Sequence, residues 1–441
     1  MVFLLSGVII SSCKKDNDKD QTVTDDPRIR TMTVSALPAT FVVNDVEGVI
    51  FNYDSLSYGT VIDSLHPVFA GYGGMLSFQY KYGNNGEWEE YSNSGKTSLK
   101  FDSTLAVFFK STAPDSKYTK EYKIDIRVHE YDVEAFTWEN KGTFSVLGTV
   151  VSQKVVFYDQ KFYFFYRNNL GKSYVMVSKD WKDEDKVWGW APAVEIDMDD
   201  PDWTTLTSFY QPQRLVVQSG GGLYECNLSK PSVFTPFDVE LPKSITLKAP
   251  LFTLGNKFWV IASQADSTFL FSLADSAMMY QKGVALSSRV PVEKITTFVS
   301  PSGSTTLGYI FGGKGTNGNG TVWGVDVNGN IIELTQNQSV FPHLIYPAPL
   351  FFGNRLYITG GIDSGKYTSQ FYVSSNSGAT WSKDSHKILP DQTGSMAKGA
   401  IFEYERNKIV FIGGENEKGF LPNVWKGTLN REILDEILNK P

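Results

Sequence analysis

This 441-residue chain has little reactive chemistry on offer. It has two cysteines, Cys13 and Cys226, so a disulfide framework is excluded. The four histidines, His66, His129, His343 and His386, include no i, i+3 or i, i+4 pair, which argues against a zinc site. No nucleophile elbow or phosphate-cradling loop is present, and no cofactor is expected. Basic excess is also missing. With 41 Lys and Arg against 48 Asp and Glu, the net charge is −7 and no basic cluster exists, so nucleic acid is not an expected partner. The apolar run at the N-terminus, Val2 to Ile10, is too short to span a bilayer.

What is present begins with that run. Val2 to Ile10 suits the apolar stretch of a secretory signal, followed by small residues and then Cys13. Lys14 to Asp26 is charged and free of aromatics, as in a disordered tether. Cys226 lies in the apolar segment Leu223 to Leu228 and reads as a small buried residue, not a nucleophile.

From Ile29 to Tyr131 apolar residues alternate with period two in about seven short runs split by turn signals. That pattern predicts an immunoglobulin-like β-sandwich. Beyond it, six apolar runs begin at Phe162, Leu215, Phe258, Leu307, Leu356 and Ile409, spaced by 53, 43, 49, 49 and 53 residues. A period near 50 made of strand-like segments predicts stacked four-stranded units, each unable to bury its faces alone. The expected architecture is therefore all-β: a sandwich followed by a six-bladed β-propeller. Val187 to Trp190 reads as a fourth strand of the first blade. The last repeat lacks a fourth strand, and 134–139 is expected to supply it against Val424 to Thr428, closing the ring. A short helix is expected over 430–438. The division expected is 1–13 signal segment, 14–28 tether, 29–132 sandwich and 133–441 propeller.

Several motifs carry resemblances. Tyr309 to Gly313 with Trp323, Tyr357 to Gly361 with Tyr372, and Phe411 to Gly414 with Trp425 resemble Kelch repeats. Ser374 to Trp381 resembles an Asp-box turn with Asn376 in the Asp position, and Ser178 to Trp181 is similar to a decayed copy. Ile10-Ser11-Ser12-Cys13 resembles a bacterial lipobox, and Lys14-Lys15-Asp16 a surface-export signal. Taken whole, the chain resembles an uncharacterised family of Bacteroides-group surface lipoproteins. That resemblance implies lipidation at Cys13, membrane attachment through the lipid, and a place at the outer membrane or cell surface of a Gram-negative bacterium. It implies no established activity.

Candidate chemistry is sparse. Arg289-Val290-Pro291 matches a sialidase signature only out of context, and Arg214, Arg355 and Arg406 fall in inter-strand turns instead of converging. The acidic run Asp197, Asp199, Asp200 and Asp202 offers carboxylate oxygens for Ca²⁺, but its spacing matches no Ca²⁺ loop and it reads as a solvated loop. Loops after each second strand are expected on one face, together with the loop Asp197 to Trp203. Within them Trp203, Asp363, Tyr367, Glu415 and Phe420 are the candidate ligand contacts, the aromatics offering faces on which a sugar ring stacks. The expected function is a surface-anchored, non-catalytic binding protein for a polysaccharide or glycoprotein. The alternative is a glycan-active hydrolase with carboxylates near the propeller axis.

Overall fold

The computed structural model describes residues 25–72, 75–101, 105–237, 244–274, 280–300, 306–313, 322–335 and 341–431. Cys13, the signal segment, most of the tether and most of the 430–438 segment lie outside the described residues. The chain divides into two compact units at Asp132 and Val133.

The first unit is a sandwich. Its larger sheet runs in the order Phe41–Asn44, Val49–Asn52, Thr119–Asp125, Val107–Thr112, Ser77–Tyr82 and Glu89–Tyr91, with the second and third strands parallel. Its smaller sheet pairs Ile29–Val34 with Pro67–Gly71, and a bridge joins Leu65 to Leu99. Alternation places Val107, Phe109 and Ser111 inward while Phe108 and Lys110 are half-buried. Phe109 packs at ring distances of 4.6 Å from Phe69 and 5.0 Å from Tyr91. The Tyr122 hydroxyl donates to the Asp45 carboxylate at 2.5 Å and accepts the Ile29 N–H at 3.2 Å, satisfying a polar atom buried in this core.

The second unit is a propeller of six blades whose inner strands are Val150–Tyr158, Pro201–Phe209, Ile245–Leu254, Ile295–Val299, Ala348–Phe352 and Ala400–Glu405. Consecutive inner strands touch in that order and the sixth touches the first, so the ring is closed. Second strands such as Lys161–Asn168, Lys257–Gln264 and Lys408–Ile412 are almost wholly buried, because both of their faces meet a neighbouring sheet. In blade 1 the fourth strand is Val194–Ile196, not Val187 to Trp190. Trp188 is instead buried with its ring 4.1 Å from Trp181, so the aromatic pattern there signalled packing between blades 1 and 6.

Glycine pairs end the second strands of blades 4, 5 and 6. At Gly312 (φ +63°) a Cβ would collide with the Leu344 carbonyl, and at Gly360 (φ +66°) it would meet Met396. These pairs let the chain leading into the next blade pass close by, which explains their recurrence.

Phe136–Thr143 pairs antiparallel with Asn423–Leu429 as the outer strand of blade 6, with Trp138 opposite Gly427. The seam between blades 6 and 1 is strengthened by Asp183, from the blade 1 loop. Its carboxylate accepts hydrogen bonds from Tyr404 at 2.7 Å, Lys426 at 2.8 Å and Lys408 at 3.0 Å. Lys141, fully buried, donates to the Asp183 and Asp185 carbonyls and to Glu139.

Inner strands all begin on one face of the ring, here termed upper. The antiparallel order of each blade puts the loops after the second strands on that upper face as well. The turns between first and second strands, bearing Arg355 and Arg406, lie on the lower face.

Candidate functional site

The upper face is built from two features. In blades 5 and 6 the loop after the second strand folds into a small hairpin, Ile362–Asp363 with Lys366–Tyr367 and Glu415–Asn416 with Gly419–Phe420. The first is joined by Leu344–Ile345, and the second by a bridge between Glu415 and Ala397. Both hairpins therefore lean on the segment that leads into an inner strand.

The second feature is the start of the inner strands. Asp200, Lys294, Tyr346 and Lys398 stand just before or within two residues of the inner strands of blades 2, 4, 5 and 6. All four have left-handed backbone, with φ of 45°, 54°, 52° and 57°. Blade 1 has Gly148 at the matching place, with φ of 80°. Left-handed backbone costs a side-chain-bearing residue roughly 1–2 kcal/mol, and glycine avoids it. Four polar side chains are thus held at strained positions around one ring, a pattern that concentrates at working sites.

Their side chains border the axial channel. At its upper mouth is a cavity of about 520 Å³ lined by Asp200, Asp202, Lys248, Glu293, Lys294 and Tyr346, among others. Below it a throat of about 160 Å³ is lined by Gln153, Lys154, Thr204, Ile295, Tyr346 and Lys398, among others. Thr204, Ile295, Thr297 and Tyr346 border both. Tyr346 sits between them: burial raises its hydroxyl to about 12, as does the charge of Asp202, while a hydrogen bond with Thr204 acts the other way.

Polar groups on the upper face and in the channel are ordered by one another. Lys398 donates to Glu415 at 2.9–3.0 Å and lies 5.3 Å from the Tyr346 ring centre. Tyr367 donates to Glu415 at 3.4 Å, and burial with that carboxylate raises its hydroxyl. Asp202 accepts from the Thr204 N–H at 3.0 Å and hydroxyl at 2.7 Å, and Asp200 pairs with Arg167. Lys154 is different. Its ammonium has no ion-pair or hydrogen-bond partner among the described residues. Burial pushes it below the ordinary lysine range, and Asp202 only partly offsets that. The neighbouring Gln153, 3% exposed, has both amide atoms buried and without a partner among the described residues.

The residues singled out in the sequence fall in different places. Trp203 is corrected: it is 0% exposed, inside the inner strand of blade 2, with its ring 5.2 Å from Phe165. Phe420 is half-buried and packs on Phe164 and Phe144 at 5.5 and 5.7 Å, which makes it chiefly a packing residue of the blade 6 hairpin. Tyr367 and Glu415 are brought together between the blade 5 and blade 6 hairpins, while Asp363 lies in the blade 5 hairpin and accepts from Ser364. The acidic run does not converge, since Asp200 and Asp202 turn to separate partners. Among the described residues no group of three or more His, Cys, Asp or Glu could hold a metal ion. On the lower face Arg214 pairs with Glu225 at 2.6 Å. Cys226 is buried and its thiol is pushed up to about 12 by burial. The Asp-box segment is a closed turn, with Asn376 hydrogen-bonded to Thr380 at both side-chain atoms and Trp381 donating to Gly378.

Lys154, Thr204, Lys294, Tyr346 and Lys398 were missed in the sequence. Aligning the repeats on the second strands hid them. Aligning them on the starts of the inner strands sets Asp200, Lys294, Tyr346 and Lys398 nearly in one column.

Residues 132–436 match the DUF6242 beta propeller domain, and residues 11–126 match the Domain of unknown function (DUF6242) N-terminal domain. The chain belongs to the DUF6242 family. Both domains of that family are thus present in one polypeptide. No curated protein matches at a significant level. Among solved structures, one titled "Structure of YjhT" is similar at 15% identity and a TM-score of 0.44, covering 65% of this chain and 95% of that one.

Proposed function

We propose that the protein is a surface-anchored, non-catalytic saccharide-binding lipoprotein whose propeller holds its ligand at the upper mouth of the axial channel. The observation that carries this reading is the ring of strained, side-chain-bearing residues around a cavity of about 520 Å³. That volume falls in the range of small-molecule sites, roughly 300–1,000 Å³, and suits the end of a glycan chain. Carboxylates, ammonium groups and the Tyr346 hydroxyl line it, offering acceptors and donors to the edges of a sugar. The apolar ring of Tyr346 offers a stacking face.

The resemblance of the N-terminus to a lipobox supports lipid attachment through Cys13 at the outer membrane of a Bacteroides-group Gram-negative bacterium. The glycine pairs and the Asn376 turn support Kelch-like and Asp-box ancestry for the blades.

Titration of the full-length protein with a panel of hexoses, uronic acids and their oligomers tests the reading. Saturable binding that alanine at Tyr346 weakens supports it, and no binding to any member overturns it. One observation favours an alternative, a glycan-active hydrolase: Asp202 and Glu293 both line the mouth. Against it, Asp202 is engaged by Thr204, leaving it less free to act as acid or base. Release of reducing ends from the same panel would support the hydrolase.

A further inference from the structure

Resting on the saccharide reading, we infer that the ligand is an acidic saccharide and that its anionic group, a carboxylate or sulfate, seats in the throat against Lys154.

An ammonium buried without a counter-ion is costly, and proteins pair or neutralise such groups. Lys154 lies within the ring, lines the throat, and has no ion-pair or hydrogen-bond partner among the described residues. The nearby carboxylate that acts on it is Asp202, and this is engaged by the Thr204 N–H and hydroxyl. The Lys398 ammonium across the throat is likewise committed, to Glu415. Lys154 is therefore the cation of this cavity that remains open to a ligand.

Lys154 stands within the inner strand of blade 1, so its position in the throat is set by the ring itself. An anionic group satisfies the Lys154 ammonium with both charge and acceptor oxygens. A neutral hydroxyl supplies hydrogen bonds but no charge. Tyr346 stands between throat and mouth, so a ligand reaching Lys154 leaves its sugar ring beside that aromatic and its remaining chain in the mouth.

The test uses the full-length protein in detergent and matched probes: glucose, mannose and galactose, their uronic acids, and their 6-sulfates, each titrated calorimetrically. At least one acidic sugar binds roughly ten- to hundredfold tighter than its neutral parent, the scale of one charge-assisted contact. Lys154→Met abolishes that preference, so that the acidic sugar binds no tighter than its neutral parent. The variant melts no lower than wild type, because a buried amine gives way to an apolar side chain of similar length. The uronic acid and sulfate arms identify which anion is bound. Equal affinity for acidic and neutral sugars overturns the inference and leaves the saccharide reading standing. So does an acidic preference that survives Lys154→Met. Failure of every probe to bind overturns the saccharide reading and this inference with it.

Discussion

Tyr346, leading into blade 5, and Thr204 of blade 2, the blade directly across the propeller axis, border both the mouth and the throat. Tyr346 reaches that position from a backbone held at φ 52°. Such a conformation persists only where the surroundings hold it in place, and here the residue divides the mouth from the throat.

The strain itself can be measured. Lys294 has the same left-handed backbone but is exposed and has no ion pair among the described residues. Lys294→Gly is expected to raise stability by about 1 kcal/mol in denaturant unfolding while weakening ligand binding. Lower stability would show that the lysine contributes more to the fold than its backbone costs.

Trp203 gives the opposite expectation. It fills the space between blades 1 and 2, so Trp203→Ala should cost about 3–5 kcal/mol by calorimetric or denaturant unfolding. Tyr367→Ala, half-exposed in the blade 5 hairpin, should cost about 1 kcal/mol or less. Equal effects of the two substitutions would contradict their placement.

Acid should open the seam between blades 6 and 1. Burial works to raise Asp183, but the hydrogen bonds from Lys426, Tyr404 and Lys408 outweigh it and hold the carboxyl at about 2, below its ordinary value of 3.8. A depressed carboxylate stabilises the fold fully above its unfolded value, and that contribution is lost as pH falls toward the folded one. Wild type should therefore lose stability between about pH 4 and pH 2 more steeply than Asp183→Asn, which should already be weaker at neutral pH by about 2 kcal/mol. Parallel pH profiles would remove Asp183 from the account of the seam.

Anchoring has its own readout. Cys13→Ala is expected to move the protein from the membrane to the soluble fraction, because attachment would depend on acyl chains added at that residue. An unchanged membrane fraction would remove the lipid from the proposed function.

The second strands were the most legible part of the chain. Both faces of Phe162 to Tyr166, or of Ile409 to Ile412, are buried, so each reads as an unbroken apolar run that recurs once per blade. Outer strands left a weak trace. Val194–Ile196 is short and mostly exposed, and the tryptophans Trp188 and Trp190 beside it carry the stronger apolar signal. Trp203 is obscured for a related reason. The aspartates before it look like a solvated loop, yet the inner strand begins at Pro201, and its alternation sends Trp203 inward. The site was hardest to read. Lys154, Thr204 and Tyr346 come from three blades and meet only once the ring closes, so no local spacing could bring them together.

Placement of the site on the upper face is tested most directly by titrating one bound saccharide against four single alanine variants of the full-length protein. Tyr346→Ala, at the mouth, and Tyr367→Ala, in the upper-face hairpin of blade 5, should each weaken binding about tenfold or more. Arg355→Ala and Arg406→Ala, exposed in the lower turns, should leave it unchanged. Loss of binding in the arginine variants with none in the tyrosine variants would put the ligand on the opposite face and contradict the assignment of the mouth.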